Sequence, residues 1–128
     1  MAKHNEIGHL GESIAENLLL EKGYTILERN WNFRHLEIDL IAKKEPYLAI
    51  VEVKTRTSMY AEKMPYEYVD QQKRKNLVVA GNAYIQMKEL DLFLRFDIIS
   101  VLLDNSATKI LDIKHLEGAF VPPLQTVN

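Results

Sequence analysis

Apolar residues recur every three to four positions at Ile7, Leu10, Ile14, Leu18 and Leu19, the spacing of one helical face. A helix is predicted from about Asn5 to Lys22, with Gly23 placed to close it. Tyr24 to Trp31 reads as a short strand. The period then becomes two. Glu37 to Ala42 and Tyr47 to Lys54 read as strands, with Lys43-Lys44-Glu45-Pro46 as the hairpin turn between them. Thr55 to Tyr68 is polar, carries Pro65 and has no period, so it reads as a loop. Asp70 is a good N-cap for a second helix from about Gln71 to Met87, with Leu77, Ala80, Tyr84 and Ile85 on one face. Leu92 to Leu103 reads as a strand, Asp104-Asn105-Ser106 as a turn and Lys109 to Leu116 as the last strand. The order α-β-β-β-α-β-β predicts an α/β sheet with helices packed on it.

The chain has 128 residues, 47% of them hydrophobic and 27% charged. That fits one domain over residues 1–128, with a core from about 5 to 116 and an extended tail over 117–128, and needs no disulfide to build its core. Cysteine is absent, which excludes a thiol nucleophile and any Cys-based zinc or iron–sulfur site. No apolar run approaches the roughly 18 residues of a membrane span, and the N-terminus lacks the pattern of a signal peptide. The expectation is a cytoplasmic protein without membrane contact. A net charge of −2 argues against a general nucleic-acid binder. The charge is unevenly spread, however. Residues 54–75 carry six Lys/Arg against three Asp/Glu, whereas residues 1–53 carry six against nine and residues 76–128 four against six. A local basic stretch can engage phosphates while the rest of the chain stays acidic.

The hairpin carries the chemistry. Alternation puts Ile38, Leu40 and Ala42 with Ala49, Val51 and Val53 on one wholly apolar face. The other face carries Glu37, Asp39 and Ile41 with Ile50, Glu52 and Lys54. With a turn over Lys44 to Tyr47, Asp39 and Glu52 stand opposite, their Cβ atoms about 5 Å apart. Two carboxylates that close repel unless a cation or a proton lies between them, and oxygen ligands suit Mg²⁺ or Mn²⁺. Lys54, on the same face at the strand's end, can hold a phosphate oxygen, orient water or stabilise developing charge. An ordinary solvated hairpin with cross-strand ion pairs fits the same spacing. Ile41 and Ile50 on the charged face, and the excess of acids over lysine there, favour a partly covered site.

Gly8-His9-Leu10-Gly11-Glu12 and Ala15 are followed by Arg29-Asn30, Glu37-Ile38-Asp39-Leu40-Ile41 and Val51-Glu52-Val53-Lys54-Thr55-Arg56, then by Lys73 and Arg95-Phe96-Asp97. In order and spacing this set resembles the YraN-like family, a small bacterial family related to archaeal Holliday-junction resolvases within the PD-(D/E)XK nuclease superfamily. The resemblance covers roughly residues 5–103. It implies a single-domain restriction-endonuclease-like fold with a mixed sheet flanked by helices, and a metal-dependent DNA endonuclease acting on branched or repair intermediates. By the same resemblance Asp39 and Glu52 bind Mg²⁺ or Mn²⁺ with the Val53 carbonyl, Lys54 is the catalytic lysine, Glu12 supports the site from the first helix, and the protein is a homodimer. Leu36 stands where the family usually has glycine, and Ile38 where the motif has proline.

For DNA contact, Arg56, Lys63, Lys73 and Arg74 are the basic side chains nearest the motif. Lys73 shares a helix face with Leu77 and Ala80 in the first turn, so it either meets a phosphate or supports the site, or snorkels from the core stripe. Tyr60, Tyr66 and Tyr68 can stack on bases or cover the domain's edge. The four histidines lack metal-ligand spacing, Gly8 and Gly11 suggest close helix–sheet packing, and Arg95 and Asp97 share one strand face. A second class of function stays open: a nuclease-fold module that binds nucleic acid or a protein without cleaving.

Overall fold

The computed structural model of the chain describes residues 4–59 and 69–121. Its elements run α1 (His4–Glu21), β1 (Thr25–Phe33), β2 (Leu36–Lys44), β3 (Tyr47–Thr57), α2 (Gln71–Met87), β4 (Phe93–Leu103) and β5 (Ile110–Phe120). The strands form one mixed sheet in the order β1-β2-β3-β4-β5. Neighbours pair antiparallel except β3 and β4, which are parallel and joined by the crossover that carries α2. Each sheet face is covered by one helix. Ala15 and Leu19 of α1 pack with Leu40, Ala42, Ala49, Val51 and Ile99. Leu77, Ala80 and Tyr84 of α2 pack with Ile41, Leu48, Ile50, Phe96 and Ile98. The central strands are buried on both faces and therefore read as apolar runs rather than as an alternation. Among the described residues no helix is long and apolar enough to cross a membrane.

Local signals set the boundaries. Asp70 accepts the Lys73 N–H at 2.8 Å and starts α2. Gly23, at φ 91°, closes α1, and the next residue, Tyr24, donates its N–H to Leu19 O at 2.9 Å. The β2–β3 turn pairs Lys44 with Tyr47, as the sequence predicts.

Four expectations need correction. Leu10 lies off the buried stripe of α1, at 38% exposure. Thr55 to Thr57, expected in a loop, continue β3 because β4 offers them parallel partners as far as Leu103. The last strand runs past Leu116 to Phe120: a register shift against β4 absorbs Gly118, at φ 59°, and keeps Phe120 paired with Phe96. Finally, Ile38 packs on the α2 side, opposite Leu40 and Ala42. The alternation of β2 therefore breaks at Asp39, beside Asn30 of β1, which has φ 47°.

Of the two glycines expected to bring a helix onto the sheet, Gly11 does so. A Cβ there would fall 1.7 Å from Thr55 Oγ1 and 2.7 Å from Thr55 Cβ, whereas Gly8 has nothing within 4 Å. Gly11→Ala must lift α1 from β3 and is expected to cost about 1–3 kcal/mol. Gly8→Ala is expected to be neutral or to stabilise by up to about 1 kcal/mol through helix propensity. Urea unfolding of the two variants compares them directly, and equal stabilities would overturn the close approach.

A buried ionic network ties β4 to β5. Asp97, 1% exposed, accepts from Arg95 Nε at 2.9 Å, Arg95 Nη2 at 2.8 Å and the Gly118 N–H at 3.0 Å. His115 Nε2 lies 2.8 Å from the same carboxylate, and Lys22 Nζ lies 2.6 Å from Nδ1. A lysine ammonium can only donate, so Nδ1 accepts and Nε2 carries the proton shared with Asp97. Arg95 also donates to the Tyr24 hydroxyl. Arg95 and Asp97, which share one strand face, are paired, and the histidine serves the same network.

Candidate functional site

The β2–β3 ladder ends at the pair Leu40↔Val51. One step further, Asp39 and Glu52 stand side by side where the strands part. Asp39 turns into the gap and accepts the Val53 N–H at 2.8 Å. Burial, and next the charge of Glu52, push the Asp39 carboxyl up to about 8; the Val53 N–H pulls the other way without prevailing. Glu52, with a side chain 13% exposed, points to the α2 side, where Lys73 Nζ lies 3.4 Å from Oε2. Lys54 follows two residues later on the same face. Burial lowers its pKa against the opposing pull of Glu52 and Asp70, and Arg56 and Lys73 are close enough to lower it further. Lys54, Arg56 and Lys73 thus make a basic rim beside two carboxyl groups, one of which is pushed well above the usual carboxylate range.

A second wall comes from α1. Glu12 accepts from Asn30 Nδ2 at 2.9 Å, and the same amide nitrogen lies 3.0 Å from Glu37 Oε1. Glu12 is close enough for its charge to raise Asp39 as well. Arg29, the neighbour of Asn30, binds Glu16 through Nε and, at 3.0 Å, through Nη2. His9, Glu12, Ser13, Arg29 and Asn30 line a shallow cleft of about 130 Å³ floored by Leu40. Among the described residues, no group of three or more His, Asp or Glu is gathered so as to hold a metal ion.

The structure therefore brings Asp39, Glu52, Lys54, Lys73 and Arg56 together, with Glu12 across the strand gap. Lys73, half-exposed, faces the Glu52 carboxylate. Arg74 is exposed. Its Nε donates to Val69 O at 2.8 Å and its guanidinium lies 5.4 Å from the centre of the Phe120 ring. Lys63, Tyr60, Tyr66 and Tyr68 lie outside the described residues. Glu37, expected beside Asp39, is exposed and takes part through Asn30. Leu36 needs no glycine: it pairs with Phe33 at the start of β2, and the left-handed residue of that turn is Arg34, at φ 59°.

Asn30 is the residue whose role sequence reasoning missed. The available signal was its residue type, since asparagine tolerates a left-handed backbone better than other side chains.

The sequence pattern of the uncharacterised protein family UPF0102 matches residues 11–101. A UPF0102 protein of Bacteroides thetaiotaomicron is 46% identical over 125 residues, covering 97% of this chain and 99% of its own length. One of Flavobacterium psychrophilum is 47% identical over 120 residues, covering 94% and 98%. One of Parabacteroides distasonis is 41% identical over 123 residues, covering 96% and 98%. The chain belongs to UPF0102, the YraN-like family that its motifs resemble.

Proposed function

We propose that this UPF0102 protein is a metal-dependent DNA endonuclease of PD-(D/E)XK type, acting in the cytoplasm on branched, Holliday-junction-like or repair DNA. The observation that carries this reading is the juxtaposition of Asp39 and Glu52 at the parting of β2 and β3, with Lys54 two residues on. Their donor set fits a hard divalent cation. The Glu52 charge raises the proton affinity of Asp39, and a cation in place of the proton relieves that repulsion. In an extended strand the N–H and C=O of one residue face the same neighbour. The Val53 carbonyl therefore lies on the edge that its N–H shares with Asp39, and Asp39, Glu52 and Val53 would hold Mg²⁺ or Mn²⁺.

A cation held there would supply charge to offset the phosphodiester and would favour deprotonation of water at the site. Lys54, half-buried and less firmly protonated than a free lysine, orients the attacking water or holds a phosphate oxygen. Arg56 and Lys73 widen the positive surface along the same face, which favours a polyanionic backbone and predicts strong salt dependence. Glu12, held by Asn30, adds negative charge on the far side of the gap and positions water.

Wild-type protein and Asp39→Asn, each incubated with duplex, single-stranded and four-way DNA in Mn²⁺, test this. Cleavage by the wild type and a loss of about a hundredfold or more in the variant are expected. Cleavage unchanged by the substitution would sink the assigned site. The second reading, a module that binds DNA without cleaving it, draws on the side-chain pairings of Glu12 with Asn30 and Glu52 with Lys73. It predicts binding with no cleavage under either metal.

A further inference from the structure

On the α2 side of the sheet, the apolar cluster under that helix ends at Ile98 on β4 and Leu116 on β5. One row further along, the side chains turn polar. Lys54 of β3 pairs with Ser100 of β4, and Ser100 with Lys114 of β5, within the stretch from Ile98 to Leu102 where the β4–β5 register is unbroken. Paired residues share a face. Ser100 follows Phe96 and Ile98 of the α2-side cluster at a period of two, so all three side chains of the row point to the α2 side. The row reads lysine, serine, lysine, and it begins at the lysine that stands beside Glu52. With strands about 4.8 Å apart, the two lysine Cα atoms lie roughly 10 Å from each other, a gap that two four-carbon stems can close on one anion.

Ser100 is the unusual member of the row. It is 4% exposed, yet its hydroxyl makes no hydrogen bond among the described residues. A polar side chain buried that deeply calls for a partner. Between two ammonium groups, the partner that suits a hydroxyl donor is an anion with several oxygens, such as a phosphate. Acids bound the row on both sides. Glu52 lies one step before it on β3, and Asp112, opposite Leu102, one step after it on β5. Lys114, which is exposed, belongs to the part of the chain where acids outnumber bases, so charge counting along the sequence passes over it.

The geometry points to a second phosphate subsite formed by Lys54, Ser100 and Lys114, which holds a backbone phosphate of the DNA next to the one that is cut. The subsite rests on the nuclease reading for its ligand, and it carries the bound strand from the parting of β2 and β3 across β4 towards the β5 edge.

Fluorescein-labelled duplex and four-way DNA, titrated with the protein in EDTA and again in Ca²⁺, test the subsite apart from cleavage. Ser100→Ala should weaken binding about threefold or more. Its urea midpoint should equal or exceed that of the wild type, because a buried hydroxyl without a partner is no loss to the fold. Lys114→Met should weaken binding about fivefold and lower the slope of log affinity against log salt by about one, the share of a single phosphate contact. Lys88→Met removes the same charge just past the end of α2, about 22 Å along the helix from Lys73, and should change affinity less than about twofold. A wild type that binds neither DNA overturns the subsite, and so does a Lys114→Met variant that behaves like Lys88→Met. Ser100→Ala binding as tightly as the wild type, or unfolding at a lower urea concentration, overturns it as well. The two readings fail separately. If the binding losses appear but neither Mg²⁺ nor Mn²⁺ supports cleavage, the subsite stands and the nuclease reading falls. Cleavage that Asp39→Asn abolishes, with binding indifferent to Ser100 and Lys114, has the opposite meaning.

Discussion

Asp97→Ala is expected to lower folding stability by about 3–5 kcal/mol, the loss typical of breaking a buried ion pair from one side. The carboxylate is 1% exposed and meets donors from Arg95, His115 and the Gly118 backbone. Removing it leaves the guanidinium facing a cavity and an interior N–H without its acceptor. The register shift that admits Gly118 depends on that acceptor, so the β4–β5 pairing beyond Ile98 is expected to loosen first. Asp97→Asn keeps an acceptor but not the charge and should fall between wild type and alanine. Burial by itself pushes the Asp97 carboxyl up, but the hydrogen bonds from His115 and Arg95 outweigh it and the pKa ends below its ordinary value. A depressed folded pKa means that the carboxylate stabilises the fold above the unfolded pKa of about 4 and stops doing so as pH falls through the folded value. Urea unfolding at pH 7 and pH 3 should therefore show a wide gap between wild type and Asp97→Ala that narrows in acid. A gap below about 1 kcal/mol at pH 7 would show that the network contributes no more than a surface ion pair.

What could be read from the chain follows from how far each signal reaches. The helices and their caps are local, so Asp70 and Gly23 announce them. The juxtaposition of Asp39 with Glu52 is also local, because a hairpin's turn length fixes its register. The face of Ile38 was not legible. It depends on a backbone irregularity at Asp39 and Asn30 that no alternation rule contains. The polar end of β3 belongs to the sheet only because β4, more than 40 residues on, supplies partners from Ser100 to Leu103. Lys73 shows the same limit on a single side chain. Its helical spacing put it on the face toward the sheet, but only the packing of α2 over β3 shows that Glu52 is what it meets. For Asp97, the i, i+2 partner Arg95 was legible, whereas His115 and Gly118 arrive from the next strand.

Raising the pH is expected to destabilise the metal-free protein through Asp39, the reverse of the effect at Asp97. Burial and the neighbouring Glu52 hold the Asp39 carboxyl at about 8, against about 4 in an unfolded chain. The folded state thus keeps a proton that the unfolded state gives up. Stability on this account falls as pH rises from about 4 and levels off only above about 8. The loss is expected to be about 2–5 kcal/mol, and Asp39→Asn, which cannot ionise, should abolish it. The variant should exceed the wild type slightly at pH 5 and by most of that loss at pH 9. A divalent cation inverts the comparison. Holding Mn²⁺ requires the deprotonated pair, so its addition should stabilise the wild type increasingly as pH rises. At a hundredfold excess over the dissociation constant the gain is about 2.7 kcal/mol, whereas Asp39→Asn should gain little. Urea unfolding of both proteins at pH 5, 7 and 9, with and without Mn²⁺, separates the two effects. Parallel pH profiles would mean that Asp39 ionises like an exposed carboxylate. Equal stabilisation of both proteins by Mn²⁺ would place the ion away from the parting of β2 and β3, and the proposed phosphodiesterase chemistry would lose its centre.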